Sequence, residues 1–320
     1  MSARRGQKCL PFTALVMALG VLAQVRPAHA DVGFWDGVRD SRAHVRAAAR
    51  RLVLGYAALP DSREVTAACL TVLPFASADL KYLCGARLGR AHDGMKQKAL
   101  GLLNKAIQEA PESPWVGQAW FEVGVVEAEL GHPERAIRAF SSALERVWQP
   151  SLRAHLHYKR GLAYMLRGEL RYATSDYRLA LLLGSGSELF AMAQASLGVA
   201  LERQGDLASA LAAFSAASSV QPVHSSVASQ GLGRAVPALM PVWESYYYKA
   251  LAAMAEGEQA GTPQAREVAY RQAVLAWSAY LDEGRKVSAH WLDHAEALRS
   301  RCESKVEESV GDRSARAFPR

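Results

Sequence analysis

Two pairs of histidines are close enough in sequence for each pair to bind one metal ion. His290 and His294 are four residues apart, and His155 and His157 are two residues apart. Zinc sites need three or four protein ligands, and no Asp, Glu or Cys lies at a recognised spacing from either pair. The sequence therefore predicts no metal site, and it indicates no other cofactor.

The segment 184–187 has the glycine and serine order of a nucleophile elbow, in which a serine sits on a sharp turn after a strand. The residues before Gly184 have a helical pattern instead. We therefore interpret the segment as a loop between two helical units. The chain also lacks a phosphate-binding loop. Because no catalytic constellation is present, we predict that the protein is not an enzyme.

Three cysteines follow the N-terminal 30 residues: Cys69, Cys84 and Cys302. Cys69 and Cys84 lie on two predicted helices joined by a turn near 74–77, so their side chains could face each other. A disulfide that closes so short a loop contributes up to about 3 kcal/mol. The alternative is two buried reduced thiols, and both readings stay open because sequence does not supply the geometry. Cys302 would then be left over and could pair between chains.

The first 30 residues have the organisation of a secretory signal. Arg4, Arg5 and Lys8 precede an apolar run at 10–25, and Ala28-His29-Ala30 places small residues at a cleavage site. The apolar run is shorter than the roughly 20 residues of a membrane-spanning helix, although an uncleaved anchor is the alternative. We predict cleavage after Ala30 and export, with the periplasm as the most favoured location.

Export changes the interpretation of the charge. Residues 1–30 hold four basic and no acidic side chains, so the formal net charge falls from +7 to +3 once they are removed. This balance gives no reason to expect a nucleic-acid partner. Arg39, Arg42, Arg46 and Arg50 share one helical face. We interpret that face as solvated, and the alternative is docking to anionic headgroups or an acidic partner, so that any membrane contact would be peripheral.

Small and aromatic residues return every 37 positions in the middle of the chain. The repeated positions are Gly124, Gly161 and Gly198; Gly131, Gly168 and Gly205; Ala136, Ala173 and Ala210; Phe140, Tyr177 and Phe214; Ala143, Ala180 and Ala217. A fixed period of this size predicts stacked two-helix units. Gly124 and Ala136 are expected where two helices cross. Phe140 is expected to fill the gap toward the neighbouring unit.

This order of residues resembles the tetratricopeptide repeat over 117–222. In the first copy the matching residues are Trp120, Val123, Gly124, Gly131, Ala136, Phe140 and Ala143. The resemblance implies an all-α, TPR-like α-solenoid of antiparallel helix pairs. The family period is 34 residues, and we expect the three additional residues in the loops between units, around 149–151 and 184–186.

The same register predicts the remaining organisation of the chain. We expect a signal peptide, an N-terminal helical segment, a degenerate repeat, three full repeats, a loop rich in Ser, Gly and Pro, a divergent hairpin, a capping helix and a tail. The divergent hairpin is expected to have a longer internal loop, at 258–264. The corresponding ranges are 1–30, 31–79, 80–111, 117–148, 154–185, 191–222, 223–241, 242–284, 285–309 and 310–320.

The resemblance also implies a partner groove lined by the first helix of each unit. The positions that match the groove of the family are Phe121, Val125, Tyr158, Leu162, Met165, Val199, Tyr247 and Leu251. These residues are apolar, which suits an amphipathic helix or an extended segment and does not fit a carboxylate clamp. The alternative is that the terminal helices of the chain fill the groove, and these residues are then core.

The function expected from these features is a protein–protein interaction scaffold of the bacterial cell envelope, in a secretion, motility or outer-membrane assembly complex. Two alternatives stay open. One is an accessory platform of an enzyme that processes cell wall or polysaccharide, and the other is a self-assembling structural protein. The 223–241 loop is expected to be either a lid over the groove or a flexible insertion.

Overall fold

The computed structural model describes Cys69 and residues 77–90, 93–184, 186–219 and 241–317. Predictions for the signal peptide, for the arginine face at 39–50 and for most of the 223–241 loop lie outside these residues. The chain divides into two compact units, one ending at Glu112 and the other beginning at Ser113. Each unit is described by itself.

The first unit contains a helical hairpin of α1 (Ala78–Arg90) and α2 (Lys96–Glu109), joined through a short 3₁₀ turn at Asp93–Met95. An ion pair between Lys81 and Glu109 connects the first turn of α1 to the last turn of α2, as expected for antiparallel helices. A Cβ atom added to Gly85 would lie 2.8 Å from Cγ of Leu103. The 37-residue register places Arg87 at the position of the first-helix glycine, and Gly85 takes that role two residues earlier.

The second unit is built from nine described helices. They are α3 (Val116–Glu129), α4 (Pro133–Arg146), α5 (Pro150–Leu166), α6 (Leu170–Leu182), α7 (Ser187–Glu202), α8 (Leu207–Ser218), α9 (Glu244–Gln259), α10 (Pro263–Lys286) and α11 (Leu292–Ala317). Consecutive helices pack as hairpins, and the second helix of each hairpin packs on the first helix of the next. The predicted all-α solenoid of helix pairs is confirmed.

Each hairpin is held by an aromatic ring that packs on a glycine of the facing helix. A Cβ atom would lie 2.5 Å from Phe140 at Gly124, 2.7 Å from Tyr177 at Gly161 and 2.7 Å from Phe214 at Gly198. The ring occupies the volume that a side chain would need, so the two helices can approach closely. Phe140 therefore packs on the glycine of its own hairpin. It also shares a hydrophobic cluster with Leu156 and Ala163 of α5, and the expectation that it fills a gap toward the neighbouring unit stays a prediction.

The turn glycines end the first helix of each repeat in a left-handed conformation. Gly131, Gly168 and Gly205 have φ of 78°, 75° and 89°, where a side chain would be strained. The amide that follows each glycine donates to the carbonyl five residues earlier, as from His132 to Glu127. This is the Schellman arrangement, which satisfies carbonyl groups at the helix end. The short turn then directs the second helix back along the first.

The additional residues of the 37-residue period lie in helices. α5 begins eleven residues before Gly161 and α7 eleven residues before Gly198, whereas α3 begins eight residues before Gly124. Most of another helical turn has therefore been added to the start of α5 and α7. The connections at 147–149 and 183–186 are short, so the prediction of longer loops is wrong. Pro150 at the first position of α5 fixes where that helix begins.

The fourth hairpin, α9 and α10, departs from its sequence prediction. Gly257 lies within α9 and packs against Tyr270, whose ring would be 2.8 Å from an added Cβ. The link at 260–262 is therefore as short as the other turns. Thr262 caps α10 by accepting a hydrogen bond from the amide of Ala265. The loop predicted at 258–264 is replaced largely by helix.

The last helix is longer than expected. α11 continues to Ala317, whereas the sequence predicted a capping helix at 285–309 and a tail from 310. Ala295, Leu298 and Cys302 on its inner side are buried, and its exposed side carries charged residues such as Glu296, Arg301 and Glu303. A polar outer face is typical of a helix that ends a stack.

We expect Gly161→Ala to destabilise the second unit. The new methyl group would overlap the Tyr177 ring, which overpacks the crossing and lowers the free energy of unfolding by about 1–3 kcal/mol. Urea unfolding followed by circular dichroism measures this change. Gly311→Ala is the matched control, because an added methyl group meets no atom there. It should leave stability unchanged or raise it by less than about 1 kcal/mol. An equal loss of unfolding free energy in both variants would contradict the interpretation that the Tyr177 ring leaves no room for a side chain at position 161.

Candidate functional site

Six of the eight predicted groove residues are buried in one continuous core. Tyr158, Leu162, Met165, Val199, Tyr247 and Leu251 belong to a cluster that extends from α5 to α11. Phe121 and Val125 on α3 are partly exposed and pack against a separate cluster. Burial of these six residues agrees with the alternative in which helices of the chain itself fill the groove. The part that these eight residues play in partner binding stays a prediction.

Helix α9 occupies the space beside the groove positions of α5 and α7. The ring of Tyr248 packs against Phe214 at 6.3 Å between centroids, and its hydroxyl lies beside Ser196, which is also next to Tyr158. Burial raises the pKa of both tyrosines above its usual value, so both hydroxyls stay neutral. Of the three consecutive tyrosines, Tyr247 and Tyr248 are buried and Tyr246 is partly exposed.

Polar side chains join α9 and α11 to the end of α7. Arg203 donates to Glu244 at 2.7 Å, the hydroxyl of Tyr247 donates to Glu202, and Nε2 of His294 contacts the other oxygen of Glu202. We call these five residues the junction cluster. Burial opposes the charge of Arg203, but Glu244 and the surrounding tyrosines raise its pKa above the usual value. Arg203 also lies 4.7 Å from the centroid of the Tyr247 ring.

The junction cluster shows that α9 is offset along α7 compared with the regular stack. In the regular stack the ninth residue of α5, Tyr158, lies beside the tenth residue of α7, Ser196. By contrast, the first turn of α9 meets the last turn of α7 through Glu244 and Arg203. The start of α9 is therefore offset toward the end of α7, although α9 still packs on α8 as the other first helices pack on the preceding second helix.

A second polar cluster lies within the hairpin of α5 and α6. The buried Asp176 carboxylate accepts hydrogen bonds from Arg160 at 2.7 Å and 2.8 Å, and Nδ1 of His157 lies 2.8 Å from it. Burial by itself would raise the pKa of Asp176, but the hydrogen bonds from Arg160 and His157 hold it below the usual value. Arg160 also donates to the hydroxyl of Ser141, which donates to the Ile137 carbonyl. We call this set the Asp176 cluster, and its bonding is that of a structural ion pair.

The repeat register contains a signal for both clusters that sequence reasoning missed. Asp176 stands where the other two repeats have Ala139 and Ala213, and Arg160 stands where they have Val123 and Leu197. Two opposite charges that replace apolar residues in the same repeat indicate a buried pair. The junction cluster follows the same rule, because Glu202 takes the position of Ala128 and Met165 in the earlier repeats.

The cysteines are free and buried. Cys69 and Cys84 belong to the core of the first unit, with their thiols side by side. The contact with Cys69, together with burial, raises the pKa of the Cys84 thiol. The two side chains face each other as expected, and the disulfide itself stays a prediction. Burial between α10 and α11 raises the pKa of Cys302 to about 12, so this thiol is not presented to a second chain.

Three of the four candidate histidines contact protein groups, and His290 is exposed. His157 and His294 contact Asp176 and Glu202, and Nδ1 of His155 donates to the Ser151 carbonyl at 2.8 Å. Among the described residues, no three His, Cys, Asp or Glu side chains are grouped to hold a metal ion. None of the described helices is long and apolar enough to cross a membrane.

Comparisons with known proteins give structural neighbours only. No family model and no curated protein matches the chain. Among solved structures, it is similar to MamA MSR-1 C2, with 17% identity over 54% of this chain and 94% of that chain and a TM-score of 0.45. It is also similar to the apo form of RapI, with 8% identity over 92% of this chain and 99% of that chain and a TM-score of 0.48. The TPR2AB-domain:pHSP90 complex of yeast Sti1 matches with 13% identity over 82% and 99% of the two chains and a TM-score of 0.28.

The glycine–aromatic crossings and left-handed turns of the chain itself establish its class. It is an α-solenoid of tetratricopeptide-type helical hairpins. A fold of this class does not determine a function, because function depends on the particular surface that the repeats present.

We expect Leu162→Ala to lower the free energy of unfolding by about 2–5 kcal/mol, because the residue is fully buried and its removal leaves a cavity. Thermal or urea unfolding measures the loss. Leu182→Ala makes the same chemical change at a side chain that is 80% exposed, and it should change stability by less than about 0.5 kcal/mol. A Leu162→Ala protein with near-native stability would instead indicate an open groove.

We expect Asp176→Asn to cost about 3 kcal/mol of unfolding free energy at pH 7, since it leaves Arg160 without its buried carboxylate. The folded-state pKa of Asp176 lies below its ordinary value of 3.8. The stabilisation is therefore present above that value and is lost as the pH falls through the folded pKa. The difference between wild type and variant, measured by urea unfolding, should shrink below pH 3.8. A difference that is constant with pH would show that the carboxylate charge does not contribute.

Proposed function

We propose that this protein is a non-catalytic scaffold that binds a segment of another protein on the outer surface of its helical stack. The observation that supports this proposal is the exposure of large apolar side chains on a stack whose core is already filled. Trp148 is 84% exposed and Leu182 is 80% exposed. Exposed aromatic and aliphatic side chains with a polar rim are a feature of protein-interaction sites.

The buried polar groups support a scaffold over an enzyme. Within the Asp176 cluster and within the junction cluster, the polar side chains form hydrogen bonds with other members of the same cluster. Each cluster connects neighbouring helices. Most of their charged groups are buried and stabilise helix packing, away from the solvent from which a substrate would bind, although the side chain of His294 is 40% exposed. Catalytic groups are found instead in clefts that a substrate can enter.

We further propose that the scaffold acts in the bacterial cell envelope. The basic start, short apolar run and Ala28-His29-Ala30 site in the sequence support export and cleavage after Ala30, most favourably to the periplasm. A secretion, motility or outer-membrane assembly complex would supply the partner. The charged outer side of α11 disfavours further stacking at the C-terminal end, which supports a scaffold over a self-assembling fibre.

In-cell crosslinking followed by mass spectrometry tests this proposal. We expect a chain whose N-terminus is Asp31 to fractionate with the envelope and to form adducts with one other envelope protein. A photoreactive residue in place of Trp148 should give more adduct than one in place of Gln204, which is exposed at a turn and carries no apolar surface. Light scattering on the same sample determines the oligomeric state.

Three results would overturn the proposal. They are a precursor that keeps residues 1–30 and remains in the cytosol, adducts that do not depend on the position of the photoreactive residue, and turnover of a cell-wall polymer by the purified chain. Concentration-dependent growth of particles in light scattering would favour the self-assembling alternative.

A further inference from the structure

The outward side of α6 differs from the outward side of the other second helices. Tyr172 is 63% exposed, Leu179 is 37% exposed and Leu182 is 80% exposed. Arg171 and Arg178 are exposed on the same helix. At 100° per residue, these five residues fall within about 120° of one another. We call this surface the α6 face, and it has an apolar edge beside a basic edge.

The fold does not require apolar residues at these positions. In the register of the repeats, Tyr172 corresponds to Arg135 and Ser209, and Leu182 corresponds to Glu145 and Ser219. Leu179 corresponds to Ser142 and Ala216. The three hairpins have the same glycine–aromatic crossing and the same turn, so the structural demands on these positions are equivalent. Only in α6 are they all large and apolar, which indicates a role outside packing.

The most exposed aromatic ring of the α6 face is held in place by the core. Asp176 binds Arg160 through two hydrogen bonds, and the guanidinium lies 5.9 Å from the centroid of the Tyr164 ring. The Tyr164 ring stacks on Tyr172 at 5.3 Å with an interplanar angle of 28°. A ring fixed before binding loses little rotational freedom when a partner contacts it. This arrangement is typical of an interface anchor.

The basic edge is available to an external charge. Arg171 and Arg178 form no ion pair with any residue in the part of the chain that the structure describes. Asp206 at the start of α8 is an acidic residue whose charge interacts with that of Arg178. Its pKa is lowered first by hydrogen bonds from Ser209 and then by the charge of Arg178. Its side chain caps α8 and its charge offsets part of the charge of Arg178, which leaves Arg171 as the residue of the basic edge available to an external carboxylate.

We propose that the α6 face binds an acidic segment of a partner protein that places apolar side chains against Tyr172 and Leu182 and carboxylates against Arg171. This inference rests on the proposed scaffold function and names its partner chemistry. An anionic membrane would satisfy the same two edges. We favour a peptide because the α6 face is confined to a single helix, where the basic edge of Arg171 and Arg178 complements a few carboxylates beside apolar side chains.

Phage display of random peptides on the full chain tests the inference. We expect enriched peptides to combine Asp or Glu with Leu, Phe or Trp. A synthetic peptide with the enriched sequence should bind at least about tenfold more weakly to Tyr172→Ala, to Leu182→Ala and to Arg171→Glu, as measured by calorimetry. These positions are exposed, and circular dichroism verifies that each variant is folded.

Two matched variants serve as controls. Arg138→Glu makes the same charge reversal on the exposed side of α4, and Leu275→Ala removes a side chain that is 70% exposed on α10. Each should change the affinity by less than about twofold. Asp176→Asn should weaken peptide binding if Tyr172 is held through Arg160 and Tyr164, while Leu275→Ala leaves it unchanged.

Several outcomes would overturn the inference. An empty selection, or peptides that bind all α6-face variants equally, would remove the α6 face as a site. If proteins are still crosslinked in cells, the scaffold function would nevertheless stand. Binding to phosphatidylglycerol vesicles that is lost in Arg171→Glu, without acidic peptides, would assign the face to a membrane. A dimer that dissociates in Leu182→Ala would assign it to a second copy of this chain.

Discussion

The packing of one aromatic ring on one glycine sets the geometry of each regular hairpin. Phe140, Tyr177 and Phe214 each occupy the volume that a side chain would take on the facing helix. The distance between the two helices therefore depends on the absence of a Cβ atom, and the left-handed glycine of the turn fixes where the second helix starts. Because each crossing is local, the hairpins repeat the same geometry, and their stacking joins them into one continuous core from α5 to α11.

Buried ionic groups then distinguish hairpins that the crossings make alike. Asp176 with Arg160, and Glu202 with Arg203 and Glu244, replace apolar contacts at two places in the stack. Buried ion pairs contribute less net stability than apolar packing of similar volume, but their directional bonds favour one arrangement. In the junction cluster that arrangement is the packing of the first turn of α9 against the last turn of α7. In the Asp176 cluster it is the ordering of Tyr164 and Tyr172.

The hairpins could be predicted from the sequence because each depends on a local pattern of small and aromatic residues. The role of Gly257 could not, because it lies about 13 residues before Tyr270, whereas about 16 residues separate the glycine and the aromatic residue in the regular repeats. The additional residues before Gly161 were assigned to loops. A proline such as Pro150 indicates a helix boundary, but it does not determine whether the residues beside it belong to the helix or to the loop. The groove residues were mapped correctly onto first helices, but the burial of those on α5 and α7 involves α9, which follows a gap of 21 residues in the described chain, 220–240. No local pattern encodes such a long-range contact.

The docking of α9 beside α5 and α7 affects how this protein would select its ligands. A segment from outside that bound beside Tyr158 would compete with a helix of the same chain, present at an effective concentration on the order of millimolar. Its apparent affinity would be weakened by the fraction of molecules in which α9 remains docked. A weak or generic apolar peptide is thereby excluded from the interior. Among the described residues, the exposed faces of the outer helices are the surfaces where a partner would not have to displace α9.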